Sequence, residues 1–471
     1  MKKRFIFFFA LLLLVNIPVI KAQKAKADKP NIVFILIDDL GWMDLGCQGS
    51  RVYQTPNIDR LADESVRFTN AYAAHPRCVP SRYAIMTGNY PARGGVPQNR
   101  SKLKVSEKTF ARFLKEAGYT SCYIGKWHLG DDETGPRGMG FDKSIAAGHA
   151  GSPRNYFAPF NATGGKKWKE KKSPIPDVDN APEGTYLNDY LTDEAIKFMD
   201  ENKEKPFFLM MAHYAVHEPL QAPDSLTEKY KTIIENTRFP EGPDYIMEGT
   251  GRCKMKQDNA VYAGMVDNMD MNIGRLLDFL KKNNLEKNTI IIFTSDHGGL
   301  SDDGYHQRRL ATSNQPLRAG KGWLYEGGIR VPLLIRWPGV STPSVDNKTI
   351  VTGIDFYPTI AALVTGKQVH SDGVSIVPAI KGNAMEHRDP VFWFSPKARP
   401  RSTGDANSIA IRDGNYKLIE WYETGKSELF DIKEDIGEQH DLSEQLPQIK
   451  RTLLKELNRW KKEMKIKTEQ Q

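Results

Sequence analysis

The chain has 471 residues, of which 39% are hydrophobic and 26% are charged, as in an ordinary globular protein with enough length for a large core. Its net charge of +8 is too weak to argue for nucleic acid, no nucleic-acid motif is present, and the surplus suits an anionic substrate. Four cysteines in a chain of this length do not form a disulfide scaffold, and no Cys/His zinc spacing occurs.

The N-terminus has the pattern of a signal peptide. Basic residues at positions 2–4 precede an apolar run at 5–15, and Ala22 offers a small residue for cleavage. The run is short for a membrane-spanning helix, so a cleaved leader is favoured over a retained anchor. We therefore predict a signal peptide over residues 1–22, a periplasmic or secreted protein, and no stable membrane anchor after cleavage, which also halves the net charge.

The first predicted strand of the mature chain ends in two carboxylates. Residues 32–37 are all apolar, which is typical of a strand buried on both faces of a largely parallel sheet. Asp38 and Asp39 follow at its carboxyl end, where open α/β sheets place their sites. Adjacent acids at a buried edge repel each other, so a metal site is favoured over two solvated loop acids.

A cysteine stands at the predicted start of a helix, in the segment Cys78-Val79-Pro80-Ser81-Arg82. Pro80 suits the first helical turn, so Cys78 would lie at the positive end of the helix, with Arg82 one turn along the same face. A group at Cys78 would be held as an anion or would hold one. For this segment alone, a buried structural cysteine before an ordinary helix is the alternative.

Three further predicted strands also end in polar or charged groups. The strands cover residues 119–125, 205–212 and 288–295, and the groups are Lys126 and His128, His213 and His217, and Asp296 and His297. A core strand has no packing reason to end in this way, whereas one metal site and one anion site at a common sheet edge explain the pattern. Of these groups, His213 is predicted to pack or to orient its neighbours.

The remaining pattern indicates alternating helices and strands, followed by a change of texture near residue 386. One alternating strand is predicted at 66–72, a polar excursion at 221–256, helices at 109–117, 187–203, 258–282 and 355–364, and a closing basic helix at 447–464. Short alternating segments after residue 386 indicate a small antiparallel sheet. The predicted fold class is therefore α/β: a large mixed, mostly parallel sheet sandwiched by helices, plus a small C-terminal antiparallel sheet with a helix.

The segment from Cys78 to Gly88, Cys-x-Pro-x-Arg-x-x-x-x-Thr-Gly, resembles the signature of the type I sulfatases of the alkaline phosphatase superfamily. Further blocks match that family in the same order, namely Asn31 to Asp39, Gly125 to His128, His217 to Pro219, Ser295 to Gly298 and Gly320 to Arg330. The resemblance covers nearly the whole mature chain. It implies an alkaline-phosphatase-like fold, with a catalytic domain at 23–385 and a C-terminal α+β subdomain at 386–471.

The resemblance also implies two cofactors. In the family the cysteine is oxidised after translation to formylglycine, which makes a formylglycine-generating maturation enzyme a partner. A divalent cation, Ca²⁺, would be held by Asp38, Asp39, Cys78, Asp296 and His297. Many members have Asn at the position of His297, and calcium prefers oxygen ligands. Three roles are therefore open for His297: it binds the metal directly, it contacts the sulfate, or it affects the metal ligands without binding the metal itself.

The catalytic residues implied by the resemblance are Cys78, Arg82, Lys126, His128, His217 and Lys321. Hydrated formylglycine at position 78 would attack sulfur, and Arg82 and Lys126 would hold its hydroxyls and charge. His217, with Lys321 near the scissile oxygen, would protonate the departing alkoxide. His128 would deprotonate the second hydroxyl so that sulfate is expelled and the aldehyde is restored.

The predicted function is a secreted sulfate-ester hydrolase that acts on a carbohydrate. Analogy with bacterial glycan-degrading members favours sulfated galactose or N-acetylgalactosamine, or glycosaminoglycan units. One alternative is a phosphomonoesterase or phosphodiesterase of the same superfamily, in which Thr or Ser would replace Cys78 and a second metal would fill the space of Lys126 and Lys321. The other alternative is a non-catalytic glycan-binding relic, against which the intact residues at every site position argue.

Overall fold

The structure is a computed structural model that describes residues 29–96, 102–160, 175–305, 309–385 and 390–466. The predicted signal peptide at 1–22 lies outside the described residues. Within these ranges, no helix combines the length and the apolar character needed to cross a bilayer.

An eight-stranded sheet forms the centre of the molecule. Its strands, in spatial order, are β12 (Ser344–Asp346), β2 (Val66–Phe68), β11 (Leu333–Arg336), β9 (Thr289–Ser295), β1 (Asn31–Ile37), β6 (Phe207–Ala212), β4 (Thr120–Gly125) and β5 (Lys143–Ile145). Strand β11 is antiparallel to β2 and β9, and the other pairings are parallel. The mixed, mostly parallel sheet predicted from the sequence is therefore confirmed.

The four strands predicted to end in polar groups are neighbours in this sheet, in the order β9, β1, β6 and β4. Ile37 pairs with Ser295, and Ala212 pairs with both Leu36 and Gly125. This register brings the carboxyl ends of the four strands to nearly the same level. The residues that follow them consequently meet at one edge of the sheet.

Helices cover both faces of the sheet. They are α1 (Pro56–Asp63), α2 (Cys78–Thr87), α3 (Pro91–Gly94), α4 (Ala111–Glu116), α5 (Leu187–Asn202), α6 (Asp224–Glu235), α7 (Ala260–Lys282), α8 (Glu326–Ile329), α9 (Phe356–Thr365), α10 (Val377–Ile380), α11 (Pro400–Thr403) and α12 (Pro447–Glu463), with 3₁₀ turns at Gly46–Gln48, Asp132–Thr134, Glu286–Asn288 and Gly353–Asp355. Alternate residues of β1 point to opposite faces, so Ile35 packs in the cluster with α5 and α7, and Phe34 in the cluster with α2, α4 and α9.

A second, antiparallel sheet lies near the C-terminus. Its strands, in chain and spatial order, are β14 (Val391–Ser395), β15 (Ser408–Asp413), β16 (Tyr416–Trp421) and β17 (Ser427–Asp431). Leu453, Leu457 and Trp460 of α12 pack with this sheet in one apolar cluster. The predicted small C-terminal sheet with its helix is therefore confirmed.

Two local predictions differ from the structure. The single strand predicted at 66–72 is β2 followed by β3 (Ala71–Tyr72), which pairs with β13 (Val351–Thr352) outside the main sheet. Periodicity along one strand carries no information about a change of partner at the turn formed by residues 69–70. The polar excursion at 221–256 contains α6 and the hairpin of β7 (Tyr245–Glu248) and β8 (Gly251–Lys254), which β10 (Asp302–Asp303) extends. Because α6 and β7 expose most of their residues, they leave little apolar pattern in the sequence.

Candidate active site

Three carboxylates and an imidazole converge at the carboxyl ends of β1 and β9. The backbone N–H of Asp39 donates to Asp296 Oδ1 at 3.2 Å. The Nε2 atom of His297 lies 3.3 Å from Asp39 Oδ1 and 3.6 Å from Asp296 Oδ1. Asp39 has φ = 61°, a left-handed conformation that aspartate tolerates better than most residues. All of these side chains are buried, together with Asp38.

The cysteine lies at the start of α2 and faces this group. Helix α2 begins at Cys78 and is buried along its whole length. The Sγ atom of Cys78 lies 3.1 Å from His297 Nε2 and 3.7 Å from Asp38 Oδ1. The N-terminal end of the helix adds its positive partial charge at the same point. An oxygen on the side chain at position 78 would therefore meet both the donor groups and a positive field.

The donor atoms are close enough together to hold a metal ion. Ligand atoms of Asp38, Cys78, Asp296 and His297 all lie within 4.8 Å of one another, and so do those of a second group that contains Asp39. His297 Nδ1 lies 3.0 Å from the Gly298 carbonyl oxygen, and Nε2 faces the other donor atoms. With Asp39, the two groups offer three carboxylates, and carboxylate oxygens are ligands that a hard divalent cation such as Ca²⁺ prefers.

Each carboxylate also has a cation of its own. Lys126 Nζ donates to Asp38, and Lys321 Nζ donates to both oxygens of Asp39 at 2.7 Å. Arg82 donates from Nε to Asp296 Oδ2 at 2.9 Å and from Nη1 to the Lys126 carbonyl at 2.6 Å. One side of the acid cluster is thus lined with positive charge.

These cations change the proton affinities of the buried groups. Burial raises the pKa of Asp39, but Lys321 and the neighbouring imidazoles outweigh it and hold that pKa below its usual value. Burial raises the pKa of Asp38 well above its usual value in spite of Lys126. Burial also acts to raise the pKa of the Cys78 thiol, but Lys126 and Lys321 hold it well below normal. The site therefore stabilises an anion at position 78.

Two further imidazoles flank the cysteine. His128, which has φ = 62°, hydrogen-bonds the thiol, and burial lowers its pKa to about 4. His217 Nε2 lies 3.8 Å from Asp39 Oδ2, and its Nδ1 lies 2.7 Å from the Glu218 carbonyl oxygen. Burial, followed by Lys321, lowers the pKa of His217 to about 4. Both rings are therefore neutral near pH 7 until a bound anion raises their proton affinity.

The structure brings all the predicted site residues together, namely Asp38, Asp39, Cys78, Arg82, Lys126, His128, His217, Asp296, His297 and Lys321. His213 is different. It is fully buried, and neither ring nitrogen has a hydrogen-bond partner among the residues that the structure describes. This burial is consistent with the packing role predicted for His213.

Sequence reasoning missed several side chains that support the site. Ser81 Oγ donates to the Asp296 carbonyl at 2.5 Å, and Tyr123 OH donates to the Lys126 carbonyl at 2.6 Å. Tyr156 OH lies 2.9 Å from the His217 carbonyl oxygen. Ser81 lies inside the cysteine motif and could have been chosen there. Tyr156 lies in an irregular stretch, where no local pattern indicates its target.

Comparison with known proteins agrees with this geometry. The family model described as Sulfatase matches residues 30–366, and the model described as N-sulphoglucosamine sulphohydrolase, C-terminal, matches residues 319–463. A protein named Sulfatase from Formosa agariphila is 30% identical, over 91% of this chain and 88% of its own length. An N-acetylgalactosamine-6-O-sulfatase from Bacteroides thetaiotaomicron is 29% identical, over 94% of this chain and 95% of its own length.

A solved structure shares the fold as well as the sequence. The crystal structure of Ps i-CgsB in complex with k-i-k-neocarrahexaose is 33% identical in sequence and has a TM-score of 0.74. The match covers 92% of this chain and 93% of the Ps i-CgsB chain. The similarity therefore extends through both sheets. The Sulfatase family model matches most of this chain. The chain therefore belongs to the sulfatase family of the alkaline phosphatase superfamily and is a sulfuric ester hydrolase.

Proposed function

We propose that this protein removes O-sulfate from a carbohydrate outside the cytoplasm, with the side chain at position 78 as the nucleophile. The observation that carries the proposal is the position of Cys78 at the start of a buried helix, between a metal-binding donor set and two lysines. The leader predicted at residues 1–22 supports a periplasmic or secreted location. We also propose the division into a catalytic domain at 23–385 and a C-terminal subdomain at 386–471.

The donor set would hold one divalent cation, Ca²⁺. Asp38, Asp39 and Asp296 would supply oxygen ligands, and His297 would supply Nε2, which already faces them. When bound, the cation would withdraw charge from the sulfate oxygens and favour an ionised hydroxyl at position 78. The carboxylates of Asp38 and Asp39, which now pair with Lys126 and Lys321, would then interact with both the lysine and the metal.

Conversion of Cys78 to formylglycine by a maturation enzyme would supply the nucleophile. The hydrated aldehyde carries two hydroxyls on one carbon, one to accept the sulfuryl group and one whose deprotonation releases it. Arg82 and Lys126 would neutralise the charge that gathers around this carbon. His128, which hydrogen-bonds the present thiol and is neutral near pH 7, is placed to take the proton from the second hydroxyl.

His217 and Lys321 both lie next to Asp39. An alkoxide leaving from a sugar is strongly basic, so it needs a proton or a cation beside it as the bond to sulfur breaks. Lys321 carries its charge because Asp39 and the anionic group at position 78 raise its pKa against the effect of burial. His217 gains proton affinity when a sulfate ester enters, and the two side chains would act together at the leaving oxygen.

The names of the similar proteins support a carbohydrate substrate. One relative is named for the 6-O-sulfate of N-acetylgalactosamine, and Ps i-CgsB was solved with k-i-k-neocarrahexaose. We propose sulfated galactose or N-acetylgalactosamine, or glycosaminoglycan units, as the first substrates to examine. A phosphoesterase with two metals is disfavoured because Lys126 and Lys321 already occupy positions against Asp38 and Asp39.

The test is to produce the chain with and without a formylglycine-generating enzyme. The mass of the peptide that contains Cys78 reports conversion, and release of sulfate from defined sulfated monosaccharides and disaccharides reports activity. We expect activity only in converted, calcium-loaded protein. Activity in fully unconverted protein would refute the nucleophile, preference for aryl phosphate over aryl sulfate would favour the phosphoesterase, and binding of sulfated glycans without sulfate release by converted protein would favour the relic.

A further inference from the structure

The segment that carries Lys321 has no regular secondary structure of its own and depends on its neighbours for its position. The Lys321 N–H donates to the Gly299 carbonyl at 3.0 Å, and the Gly322 N–H donates to the Pro76 carbonyl at 3.0 Å. Gly322 has φ = 105°, and a Cβ atom there would lie 2.9 Å from Arg77 Nη2. The residue after Lys321 must therefore be glycine, and its backbone lies against the guanidinium of Arg77.

Arg77 is in turn held by a segment of the C-terminal part of the chain. Its Nη2 donates to Asp405 Oδ2 at 2.7 Å and to Thr403 Oγ1 at 3.1 Å. Both members of the Arg77–Asp405 ion pair are buried, with side-chain exposures of 2% and 0%. Thr403 Oγ1 also donates to the other oxygen of Asp405 at 2.6 Å. Asp405 thus supplies the buried negative charge for Arg77 and accepts hydrogen bonds from both Arg77 and Thr403.

A second contact reaches the Lys321 segment from the same place. Trp323 Nε1 donates to the Thr403 carbonyl at 3.0 Å, and the indole ring stacks on Tyr325 and packs edge-on against Trp421 of β16. The chain after Lys321 is therefore held at two points: the Gly322 backbone lies against Arg77, and Trp323 donates to Thr403. Arg77 and Thr403 both donate hydrogen bonds to Asp405, which lies 328 residues from Arg77 in the chain.

We propose that Asp405 is a positioning residue that keeps the Lys321 ammonium at the leaving oxygen. This inference rests on the role proposed above for Lys321. A buried arginine that loses its carboxylate must move or recruit water, and the Gly322 backbone packed against it moves as well. A displacement of about 1 Å in a group that stabilises the transition state is enough to lower the rate severely.

The test compares two leaving groups in Asp405→Asn, which keeps the shape of the side chain but removes its charge. Lys321→Met should lower kcat on a sugar sulfate by about 100-fold more than on 4-nitrophenyl sulfate, whose phenolate leaves without a proton. Asp405→Asn should lower kcat on the sugar sulfate by about tenfold, with KM unchanged. It should change kcat on the aryl sulfate by less than about twofold.

The double variant Asp405→Asn/Lys321→Met should be no slower than Lys321→Met, because Asp405 has no role once the ammonium is gone. Glu420→Gln is the matched control, since Glu420 pairs with Lys461 in the same part of the chain and, among the residues that the structure describes, has no hydrogen bond or ion pair with the active site. If Asp405→Asn does not fold, Trp323→Phe removes the hydrogen bond to Thr403 and part of the ring packing, and should show the same leaving-group dependence, with a smaller amplitude.

Two results would overturn the inference. Equal losses on both substrates would show that Asp405 acts on the whole site or on Cys78, and additive losses in the double variant would show that it acts independently of Lys321. Failure of the proposed role of Lys321 gives a different result, because Lys321→Met would then lower kcat equally on the sugar and aryl sulfates.

Discussion

The side chain at position 78 is the proposed nucleophile, and substitutions there distinguish transfer of the sulfuryl group to the protein from its later release as sulfate. Cys78→Ala should fold normally and show no turnover, because no nucleophile is left. Cys78→Ser places a single hydroxyl at the start of α2, which can accept the sulfuryl group but has no second hydroxyl to release it. We expect at most one alcohol released per enzyme molecule from Cys78→Ser, measured with 4-nitrophenyl sulfate. Continued turnover by Cys78→Ser would contradict the proposed release step.

His128 provides a second test at the same scale. His128→Ala should release an amount of alcohol about equal to the enzyme and then turn over slowly, with kcat lowered by roughly 100-fold or more. Burial lowers the pKa of His128 to about 4, so the ring is a base above that pH and loses this ability as the pH falls. The kcat/KM of the native enzyme, which reports the free protein, should accordingly decline as the pH falls through about 4. His217→Ala should instead slow the first release of alcohol, and an initial burst of normal rate would argue against its role as the acid.

At the scale of the element, helix α2 depends on the glycine at its carboxyl end. Gly88 has φ = 69°, and a Cβ atom there would lie 2.7 Å from Tyr357 Cβ. Gly366 ends α9 with the same φ, but nothing lies within 4 Å of its position. Gly366→Ala should therefore lower the free energy of unfolding by about 1 kcal/mol from backbone strain alone. Gly88→Ala should cost about 1–3 kcal/mol more, because its methyl group overpacks against Tyr357. Denaturant titration of both variants measures the difference, and equal losses would contradict it.

The burial of α2 also limits when Cys78 can be modified. Cys78 is 1% exposed, and every other residue of the helix is buried as well. An enzyme that oxidises Cys78 would therefore have to reach it before α2 packs, while the residues around it are still an extended chain. We expect conversion of a synthetic peptide that covers residues 70–90 and no conversion of the folded, unmodified protein, as judged by mass. Conversion of the folded protein at the rate of the peptide would mean that α2 opens readily.

At the scale of the whole molecule, one lysine joins the C-terminal sheet to α8. Lys417 of β16 donates to Glu326 at 2.9 Å and to Glu438 at 2.8 Å, and all three side chains are fully buried. Glu326, at the start of α8, also binds Arg330. Lys417→Met should leave Glu438 without a charged partner and lower the free energy of unfolding by about 3–5 kcal/mol. Lys433→Met, at an exposed pair with Glu434, should cost less than about 1 kcal/mol, measured by the same titration.

The pH dependence of this effect follows from Glu438. Burial raises the pKa of Glu438 above its ordinary value, although Lys417 lowers it in part. A raised carboxyl pKa means that the native state holds the proton more tightly than the unfolded state, so stability is lost as the pH rises above the unfolded value. Without Lys417 this loss grows. The destabilisation by Lys417→Met should therefore be larger at pH 8 than at pH 5, and a pH-independent difference would contradict this account.

Much of the site could be predicted because it depends on local sequence. The strands that end at Asp38, Lys126, His213 and Asp296 are uninterrupted apolar runs, and such runs are buried in parallel sheets wherever they occur. Parallel strands of an open α/β sheet end at one edge, so these residues are expected to meet there whatever the order of the strands. The site at this edge therefore follows from hydrophobic periodicity and from the residues at each strand end.

The support of the site could not be predicted in the same way. Asp405 lies in an ordinary polar stretch and Lys417 lies within strand β16, and neither local pattern indicates that the charged side chain is buried. The split between β2 and β3 and the helix α6 are further examples, since their partners lie elsewhere in the chain. In each case the deciding contact joins residues that are far apart in sequence.

The sequence by itself determined the central sheet, the acids and imidazoles at its edge, and the cysteine at the start of α2. It could do so because apolar periodicity and helix-start chemistry act over a few residues and leave a local pattern. Only the tertiary structure decided which cation meets which carboxylate, and that a segment near the C-terminus holds Arg77 and the Lys321 segment. A buried charge takes its partner from whatever the packed chain brings within hydrogen-bonding distance, and no local pattern contains that information.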